Sequence, residues 1–351
     1  MSTETKTLFP EKFEVVAESI ESLLTTEMRP TGHWAAGTIK KIWRAAVEKQ
    51  GGYPTLIAAK RIIENVKRGD VVIIMTGVIV GDHLPKGESD GPLGAASLAY
   101  ALNVGLGAIP VVLCEEPVVP ACTACLNTIG LGVRPLEVAQ RTAWAAVVES
   151  YPTNDTNADS RARDIMTSYQ PKAMISVERL GANKKGIQHT ATGKAVTGPQ
   201  AKMQSLWKGA REKGILTIGV GDNGNEVGLG MLMDAICTYN KFGAKCVCGC
   251  EGGIAAAEEA DVAVVANVSN WGAYGIVACL AGALRNLDLI HTGETEERMI
   301  ESCVRAGALD GRTGSHLLLV DGIPAKIHGH FVDILSCILR ISLSTIGERR
   351  Y

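Results

Sequence analysis

One stretch of the chain, residues 215–230, constrains its fold more than any other. Residues 215–220 form a short apolar run with β-branched side chains, which predicts a buried strand. A polar turn dense in glycine follows, and the apolar segment at residues 231–239 predicts a helix. Because α/β proteins place their ligand sites where a strand passes into a helix through such a turn, the sequence predicts a ligand site here.

The turn matches the dinucleotide-binding pattern G-x-G-x-x-G, with glycines at Gly219, Gly221 and Gly224. We reject that interpretation because of charge. The pattern holds a pyrophosphate on backbone N–H groups at a helix N-terminus, and here the carboxylates of Asp222 and Glu226 would face the phosphate. There is also no clear strand ending in an acid about 20 residues further on, where ribose binding needs one.

Two interpretations of these acids stay open. Asp222 and Glu226 suit a hard cation such as Mg²⁺ or Mn²⁺, which takes oxygen ligands, and Asn225 adds an amide oxygen. If the turn passes into a helix, the two carboxylates share one face. In the alternative, Asp222 or Asn223 caps the helix and Glu226 is its reciprocal partner in a capping box.

Composition narrows the class of protein. The 351 residues are 46% apolar, enough for a substantial core, and the formal net charge is -2. This charge gives no basic footprint for nucleic acid, and no apolar run reaches the ~20 residues of a membrane span. Residues 1–27 resemble neither a secretory signal nor a typical transit peptide, so we expect a cytoplasmic protein. We predict an N-terminal helical arm over residues 1–30 and a single α/β domain over residues 31–351, with assembly into a homo-oligomer left open.

The chain has ten cysteines, which we expect to stay reduced in the cytosol. Two clusters stand out, namely Cys122 with Cys125, and Cys246 with Cys248 and Cys250. Neither cluster has a second C-x-x-C or a nearby His pair at zinc spacing. Both are therefore interpreted as small buried residues, and a zinc site built from both clusters is the lesser alternative.

Apolar runs and amphipathic segments alternate along the chain. Strands are predicted at residues 71–80, 109–114, 172–177, 215–220, 261–268 and 316–320. Helices are predicted at residues 11–27, 33–66 in two pieces, from 91 onward, 136–151, 158–169, 199–213, 231–239, 271–284, 294–306 and 329–342. Strands alternating with helices predict a three-layer α/β fold, in which a largely parallel sheet carries helices on both faces.

Four of the predicted strands end in loops that carry acids or amides. These loops contain Glu88 with Asp90, Glu178, Asp222 with Asn225 and Glu226, and Ser269 with Asn270. Because the carboxyl ends of parallel strands lie along one edge of a sheet, the loops can converge. Convergent carboxylates repel each other unless a proton or a cation lies between them. The sequence therefore predicts a divalent-metal site at this edge, although each loop taken singly fits ordinary turn and cap chemistry.

The same loops resemble a known family, the D-glutamate cyclase-like domain. The matching segments are residues 76–77, 88–95, 176–181, 221–230 and 269–274, and residues 310–311 and 320–322 are also similar. The segments 221–230 and 269–274 are quite specific in combination, although neither would suffice singly. The resemblance spans residues 30–350.

The resemblance implies a metal-dependent enzyme that cyclises D-glutamate to 5-oxo-D-proline with loss of water, or that hydrolyses the lactam in the reverse direction. A cation would polarise the γ-carboxylate and stabilise the tetrahedral oxyanion, and a carboxylate would take a proton from the attacking ammonium. On this basis the predicted catalytic residues are Glu88, Asp90, Glu178 and Asn270, and the predicted ligands of Mg²⁺ or Mn²⁺ are Asp222, Glu226 and Asp90. The predicted substrate-binding residues are Thr76, Gly77, Arg179, Asn225, Ser269 and Trp271.

The chain departs from the family pattern at Val78, Leu93 and Asn223, and residues 181–194 match it poorly. That segment includes His189 and is interpreted as a flexible stretch that could form a lid. The acidic residues of the family pattern are present in this chain, so the sequence supports the metal chemistry better than it supports one particular substrate. The alternatives are a lactam hydrolase for a different small cyclic amide, a nucleotide-dependent enzyme, and a protein that only binds a cation or an amino acid.

Overall fold

A parallel sheet forms the centre of the molecule in the computed structural model, which describes residues 13–343 except for 30–35, 154, 197 and 199. Its strands are β1 (Val71–Met75), β2 (Ile109–Cys114), β3 (Gly132–Val133), β4 (Ala145–Ser150), β5 (Ala173–Val177), β6 (Leu216–Gly221) and β7 (Val262–Val265). They lie in the order β3-β4-β2-β1-β5-β6-β7, and every pairing is parallel. A separate antiparallel ribbon joins β8 (Leu319–Val320) to β9 (Ile323–Pro324).

The other regular elements of the described chain are mostly α-helices. They are α1 (Phe13–Leu24), α2 (Thr38–Gln50), α3 (Pro54–Asn65), α4 (Pro92–Tyr100), α5 (Val119–Ile129), α6 (Leu136–Ala139), α7 (Asp155–Tyr169), α8 (Gln204–Glu212), α9 (Met233–Tyr239), α10 (Ser269–Leu284), α11 (Gly293–Arg305) and α12 (Ala325–Leu343). Among the described residues, none of these helices is both long and apolar enough to cross a membrane.

The strands β1, β2, β5, β6 and β7 are buried on both faces, as the apolar runs predicted. In β1, Val72 and Ile74 belong to a core that includes residues of α3, α4, α5 and α10. Ile73 and Met75 belong to a second core on the opposite face, with residues of α7 and α8. Successive side chains of a strand point to opposite faces, so a continuous apolar run covers both. The predicted three-layer α/β fold is confirmed.

The helix α1 packs closely against α10. Its residues Phe13 and Leu24 are buried and face glycines of α10. A methyl group on Gly275 would lie 2.4 Å from Leu24 Cδ1, and one on Gly282 would lie 2.3 Å from Phe13 Cζ. The two glycines therefore let the N-terminal segment approach the helix whose first turn reaches the sheet edge.

One predicted helix is wrong. Residues 136–151 were expected to be helical, but α6 ends at Ala139 and residues 145–150 form β4 between β2 and β3. The alanines of this segment have a high intrinsic helix propensity. Pairing of Val147 and Val148 with Val111 and Val112 overrides it, because a sheet position depends on partners far away in the sequence. The predicted strand 71–80 is also shorter than expected and ends at Met75.

The strand order places a topological switch at the middle of the sheet. From β1 the chain passes to β2, then to β3 at the edge of the sheet and back to β4 between them, whereas β5, β6 and β7 extend in the other direction. In open α/β sheets, ligands bind beyond the carboxyl ends of the strands at such a switch. The loops after β1, β5 and β6 are therefore the expected position of a site.

Candidate active site

Three carboxylates converge at the carboxyl edge of the sheet. Asp90 lies just before α4, Glu178 directly follows β5, and Asp222 directly follows β6. One oxygen from each lies within 4.8 Å of the others, and all three side chains are buried. The fold thus brings together acids from three of the loops that the sequence predicted could converge.

The N-termini of α4 and α10 hold each other in place at this site. Asp90 accepts hydrogen bonds from the backbone N–H groups of Ser269 (2.9 Å) and Asn270 (2.8 Å) in the first turn of α10. In return, Asn270 Oδ1 accepts from the backbone N–H groups of Gly91 (2.9 Å) and Gly94 (2.7 Å). The first N–H groups of a helix have no partner within the helix, and here side chains of the opposite loop supply one. Asp90 and Asn270 are therefore held rigidly.

Glu178 occupies an unusual backbone conformation, with φ of 44°. A non-glycine residue in this left-handed region costs free energy, which the surrounding structure must offset. Ser269 Oγ donates a hydrogen bond of 2.5 Å to Glu178 Oε2 and so orients the carboxylate. Next to it, a Cβ on Gly91 would lie 2.5 Å from Thr76 Oγ1 and 3.1 Å from Glu178 Cβ. Thr76, Gly91 and Glu178 are thus tightly packed around the carboxylate group.

Glu226 anchors the turn that follows β6. Its Oε1 accepts from the backbone N–H groups of Asp222 (3.2 Å) and Asn223 (2.9 Å), and its Oε2 accepts from Gly224 (2.7 Å). These are the N–H groups that would hold a pyrophosphate in a dinucleotide-binding turn. In this protein the carboxylate of Glu226 takes the place of the pyrophosphate. The metal role predicted for Glu226 stays a prediction, while its observed partners are those of a turn-forming residue.

Burial and mutual repulsion keep the acids of this edge protonated to unusually high pH. Burial, followed by the charge of Asp321, raises the pKa of Asp90 to about 8. The pKa values of Glu88, Glu178 and Asp222 are also raised, in each case mainly by burial and further by neighbouring carboxylates. A proton or a cation is therefore needed to hold this cluster together.

Arg29 brings a positive charge to the cluster. Its Nη1 lies 2.5 Å from Asp222 Oδ2 and 3.1 Å from Asp321 Oδ2, and its Nε donates to Asn267 Oδ1 at 3.3 Å. Burial opposes the charged form of Arg29, but the carboxylates around it outweigh burial and raise its pKa. One guanidinium nevertheless faces more carboxylates than it can neutralise, namely Asp90, Glu178, Asp222 and Asp321.

Several buried oxygens at this edge have no hydrogen-bond partner within the described part of the chain. They are Asp222 Oδ1, Asn223 Oδ1, Asn225 Oδ1 and Thr76 Oγ1. An unpaired buried polar atom is costly and calls for an explanation. Carboxylate, amide and hydroxyl oxygens are the ligands that Mg²⁺ and Mn²⁺ prefer. The set of donors therefore fits a hard divalent cation.

A cavity of about 470 Å³ opens next to the acids. Its inner wall contains Glu88, Glu178 and Asn225, and residues 190–192 and 194 form another side. The cations Lys194 and Arg312 lie at its exposed rim. A volume of this order suits a small ligand rather than a macromolecule.

Of the six residues predicted to bind substrate, Asn225 lines this cavity, whereas the other five are not among its lining residues, namely Thr76, Gly77, Arg179, Ser269 and Trp271. Arg179 is fully buried and forms an ion pair with Glu115 at 2.6 Å, and it also donates to the Gly77 carbonyl at 2.9 Å. Trp271 is fully buried, donates to His328 Nδ1 at 2.9 Å and stacks on Phe331 with ring centroids 4.0 Å apart. Both side chains pack behind the site, where they support its loops.

Sequence reasoning missed several residues that shape the site. Arg29 belongs to a segment that was interpreted as a separate arm, and no local pattern marks it. Glu115 directly follows β2, so an acid at a strand end was the signal that could have found it. Asp321 lies in a segment noted only as similar to the family. Asp310 accepts hydrogen bonds from Thr313 and from the Gly322 backbone, which closes the loop before Asp321.

The two cysteine clusters differ in environment. Cys122 and Cys125 are buried within α5, as predicted. Cys246 is buried, as predicted, but the prediction of small buried residues is wrong for Cys248, which is exposed, and for Cys250, which is half-buried. The three sulfurs lie close to the imidazole of His189. The histidine lies about 60 residues upstream, so no sequence spacing indicated it. This group contains neither Cys122 nor Cys125.

Comparison with known proteins agrees with the loops described above. The model of the family described as D-glutamate cyclase-like, C-terminal, matches residues 43–336. The chain belongs to this family. The resemblance predicted from the loops is thereby confirmed, and the carboxylates at the sheet edge lie within the matched range.

This chain is similar to D-glutamate cyclase, mitochondrial, from Homo sapiens. It is 26% identical over 212 residues, which cover 60% of this chain and 32% of the relative. The chain thus aligns with about a third of the relative's length. The relative's name places it in mitochondria, so the cytoplasmic location expected here stays a prediction.

Proposed function

We propose that the protein is a metal-dependent hydro-lyase that converts D-glutamate, or a closely related amino acid, to 5-oxo-D-proline and water, or that catalyses the reverse hydrolysis. The observation that carries this proposal is the convergence of Asp90, Glu178 and Asp222, whose oxygens lie within 4.8 Å of one another beside a small cavity. The family to which the chain belongs supports the same reaction class.

Asp90, Glu178 and Asp222 are the residues that would hold the cation, which we propose to be Mg²⁺ or Mn²⁺. Burial, and then neighbouring carboxylates, raise the pKa values of all three, so the ionised cluster needs a cation to offset its repulsion. When bound, the cation supplies polarisation of the γ-carboxylate and compensation of negative charge. Glu226 is left out of this ligand set because its oxygens already accept three backbone hydrogen bonds.

Ring closure requires two proton transfers. The ammonium and the γ-carboxylate of glutamate become an amide and a water molecule, so two ammonium protons must leave with one carboxylate oxygen. A carboxylate whose pKa is raised can take the first proton and, as the carboxylic acid that results, return it to the departing oxygen. Glu88 faces the cavity and lies outside the proposed ligand set, so we assign both proton transfers, in turn, to Glu88. Glu178, which Ser269 orients, belongs to the ligand set.

The substrate's α-carboxylate needs a positive partner away from the reacting carbon. Arg312 and Lys194 at the rim of the cavity offer this charge. Asn225 lies on the inner wall with an amide oxygen that has no hydrogen-bond partner among the described residues. That oxygen can accept a hydrogen bond from the substrate ammonium and hold it near the γ-carboxylate.

A second candidate is a lactam hydrolase or cyclase for a different small amino acid. The observation that favours it is the position of residues 190–194, which belong to the segment that matches the family pattern poorly. They form one side of the cavity, so a change there alters the shape that selects a substrate while leaving the acids in place.

The deciding experiment incubates the protein with D-glutamate, L-glutamate and both enantiomers of 5-oxoproline, with and without Mg²⁺ or Mn²⁺. Chiral chromatography then reads substrate and product. We expect interconversion of the D-enantiomers only when metal is present. Glu178→Gln should abolish turnover, whereas Glu301→Gln, at an exposed surface ion pair, should not change it. Turnover in thoroughly metal-free protein, or turnover of no substrate with metal present, would contradict the proposal.

A further inference from the structure

A second group of metal-binding side chains lies beside the cavity and has different chemistry. His189 is followed about 60 residues later by Cys246, Cys248 and Cys250, and one atom from each side chain lies within 4.8 Å of the others. The donors are one imidazole nitrogen and three sulfurs, in contrast to the oxygen donors at the sheet edge. We infer that this group is a structural Zn²⁺ site that fixes one wall of the cavity.

The distances fit tetrahedral coordination. Cys246 Sγ lies 3.4 Å from Cys248 Sγ and 3.2 Å from Cys250 Sγ. His189 Nε2 lies 3.2 Å from Cys248 Sγ and 3.5 Å from Cys250 Sγ. With Zn–S bonds of about 2.3 Å, the edges of the tetrahedron are about 3.8 Å. The four atoms therefore need to move outward by only a few tenths of an ångström to enclose the ion.

Hydrogen bonds from neighbouring groups favour the metal-binding forms of His189 and Cys250. His189 Nδ1 lies 3.0 Å from the carbonyl oxygen of Ile187, so Nδ1 carries the proton and donates it while Nε2 keeps a free lone pair. Such a partner on the second nitrogen is the usual arrangement for a metal-binding histidine. Cys250 Sγ accepts from the Gly252 backbone N–H at 3.4 Å and from Asn183 Nδ2 at 3.5 Å. Both donors stabilise a thiolate.

The ligand set selects zinc and a structural role. Three thiolates and one imidazole in a tetrahedron are typical of closed zinc sites, in which no position is left for water or substrate. Thiolate ligands disfavour Mg²⁺ and Mn²⁺, which prefer oxygen. Binding of Zn²⁺ to three thiols and a neutral imidazole releases three protons and changes no oxidation state.

The zinc site is connected to the cavity through its histidine. The His189 backbone carbonyl accepts a hydrogen bond of 2.8 Å from Asn225 Nδ2, and Asn225 lines the cavity. The Val247 N–H donates to the Gly193 carbonyl at 2.9 Å, which ties the cysteine segment to residues 190–194. The bound ion would therefore position Asn225 and hold this wall, which was interpreted from sequence as a flexible lid.

Metal analysis tests this inference without any assay of turnover. Wild-type protein purified under reducing conditions and passed through metal-free buffer should keep about one zinc per chain. Cys246→Ser should lose nearly all of it, and Cys337→Ser, at an exposed cysteine in α12, should keep it. The cobalt-substituted wild type should show the intense visible bands and sulfur-to-cobalt charge-transfer bands of a tetrahedral thiolate site.

Hydrogen–deuterium exchange tests the link to the cavity wall. Loss of zinc should speed exchange of the Val247 amide and of the Thr190 amide, which donates to Lys194, while the amides of β1 exchange as before. A reduced wild type that retains no zinc and gives no cobalt spectrum would overturn the inference, even if Cys246→Ser fails to fold. A disulfide among the three cysteines in the native protein, or iron bound in place of zinc, would overturn it as well.

Discussion

The Arg29 guanidinium lies 2.5 Å from Asp222 and 3.1 Å from Asp321, so one side chain joins the turn after β6 to the C-terminal loop. Arg29 lies outside residues 43–336, the range that the family model matches. The N-terminal segment thus contributes a positive charge to a site whose acids lie within the range that the family model matches. Replacement of Arg29 therefore tests whether the N-terminal segment stabilises the acid cluster.

We predict that Arg29→Gln destabilises the metal-free protein more at pH 8 than at pH 5. At the higher pH the buried acids must ionise beside one another without their counter-charge, and loss of one partner of a buried ion pair costs about 3 to 5 kcal/mol. At pH 5 protonation of the acids reduces this loss. Urea denaturation at both pH values measures the difference. Arg305→Gln, which removes an exposed pair with Glu301, is the control and should cost little at either pH.

The stability of metal-free protein should fall as the pH rises. Burial, and then Asp321, raise the pKa of Asp90 to about 8, whereas an unfolded aspartate titrates near pH ~4. Between these values the folded state keeps a proton that the unfolded state has lost, so each added pH unit costs the folded state up to about 1.4 kcal/mol for this group. Thermal midpoints from pH 5 to pH 8 should show the decline. A flat or rising profile would contradict the raised pKa.

Divalent metal should remove this decline and release protons when it binds. Protons and cations compete for the same oxygens of Asp90, Glu178 and Asp222, so the affinity for Mn²⁺ should increase with pH up to about pH 8. Calorimetric titration in buffers with different ionisation enthalpies counts the released protons. Chelation should abolish turnover, and added Mn²⁺ or Mg²⁺ should restore it. Affinity that does not change with pH would argue that the cation binds elsewhere.

Asp222→Asn and Glu226→Gln should affect different properties. Asp222→Asn removes a charge from the proposed metal site, so it should lower metal affinity and turnover by orders of magnitude. Glu226→Gln replaces one carboxylate oxygen by an NH2 group, which cannot accept a backbone hydrogen bond, and should lower the free energy of unfolding by about 2 to 4 kcal/mol. Metal titration and urea denaturation on both variants measure this. If Glu226→Gln keeps its stability but loses metal, Glu226 is a ligand, as the sequence predicted.

Arg179 should act on stability rather than on substrate affinity. It forms a fully buried ion pair with Glu115, so Arg179→Met should cost about 3 to 5 kcal/mol by leaving a buried carboxylate unpaired. The double variant with Glu115→Gln should recover part of that loss. Denaturation curves and KM values separate the two possibilities. A stable Arg179→Met protein with a greatly raised KM would restore the substrate-binding role predicted from the sequence.

The sequence alone determined the main elements of the sheet and the acids at its edge. Runs such as residues 71–75 and 216–221 are largely apolar on both faces, which fits the interior of a parallel sheet. Parallel pairing then places every strand's carboxyl end on one side, so the convergence of Asp90, Glu178 and Asp222 followed from local pattern and general geometry. The strand at residues 145–150 was predicted wrongly as a helix, because its alanines favour a helix and its pairing partners lie elsewhere in the chain.

Only the tertiary structure decided which side chains meet. Arg29 and Asp222 are 193 residues apart, and His189 and Cys250 are 61 residues apart, so no local period or spacing relates them. The tertiary structure also gives different partners to two acids that look alike in sequence. Glu226 accepts hydrogen bonds from backbone N–H groups, whereas Asp222 directs one oxygen to Arg29. Local sequence sets backbone conformation through short-range sterics and burial pattern, whereas ion pairs and metal ligands depend on distances that exist only after the chain has folded.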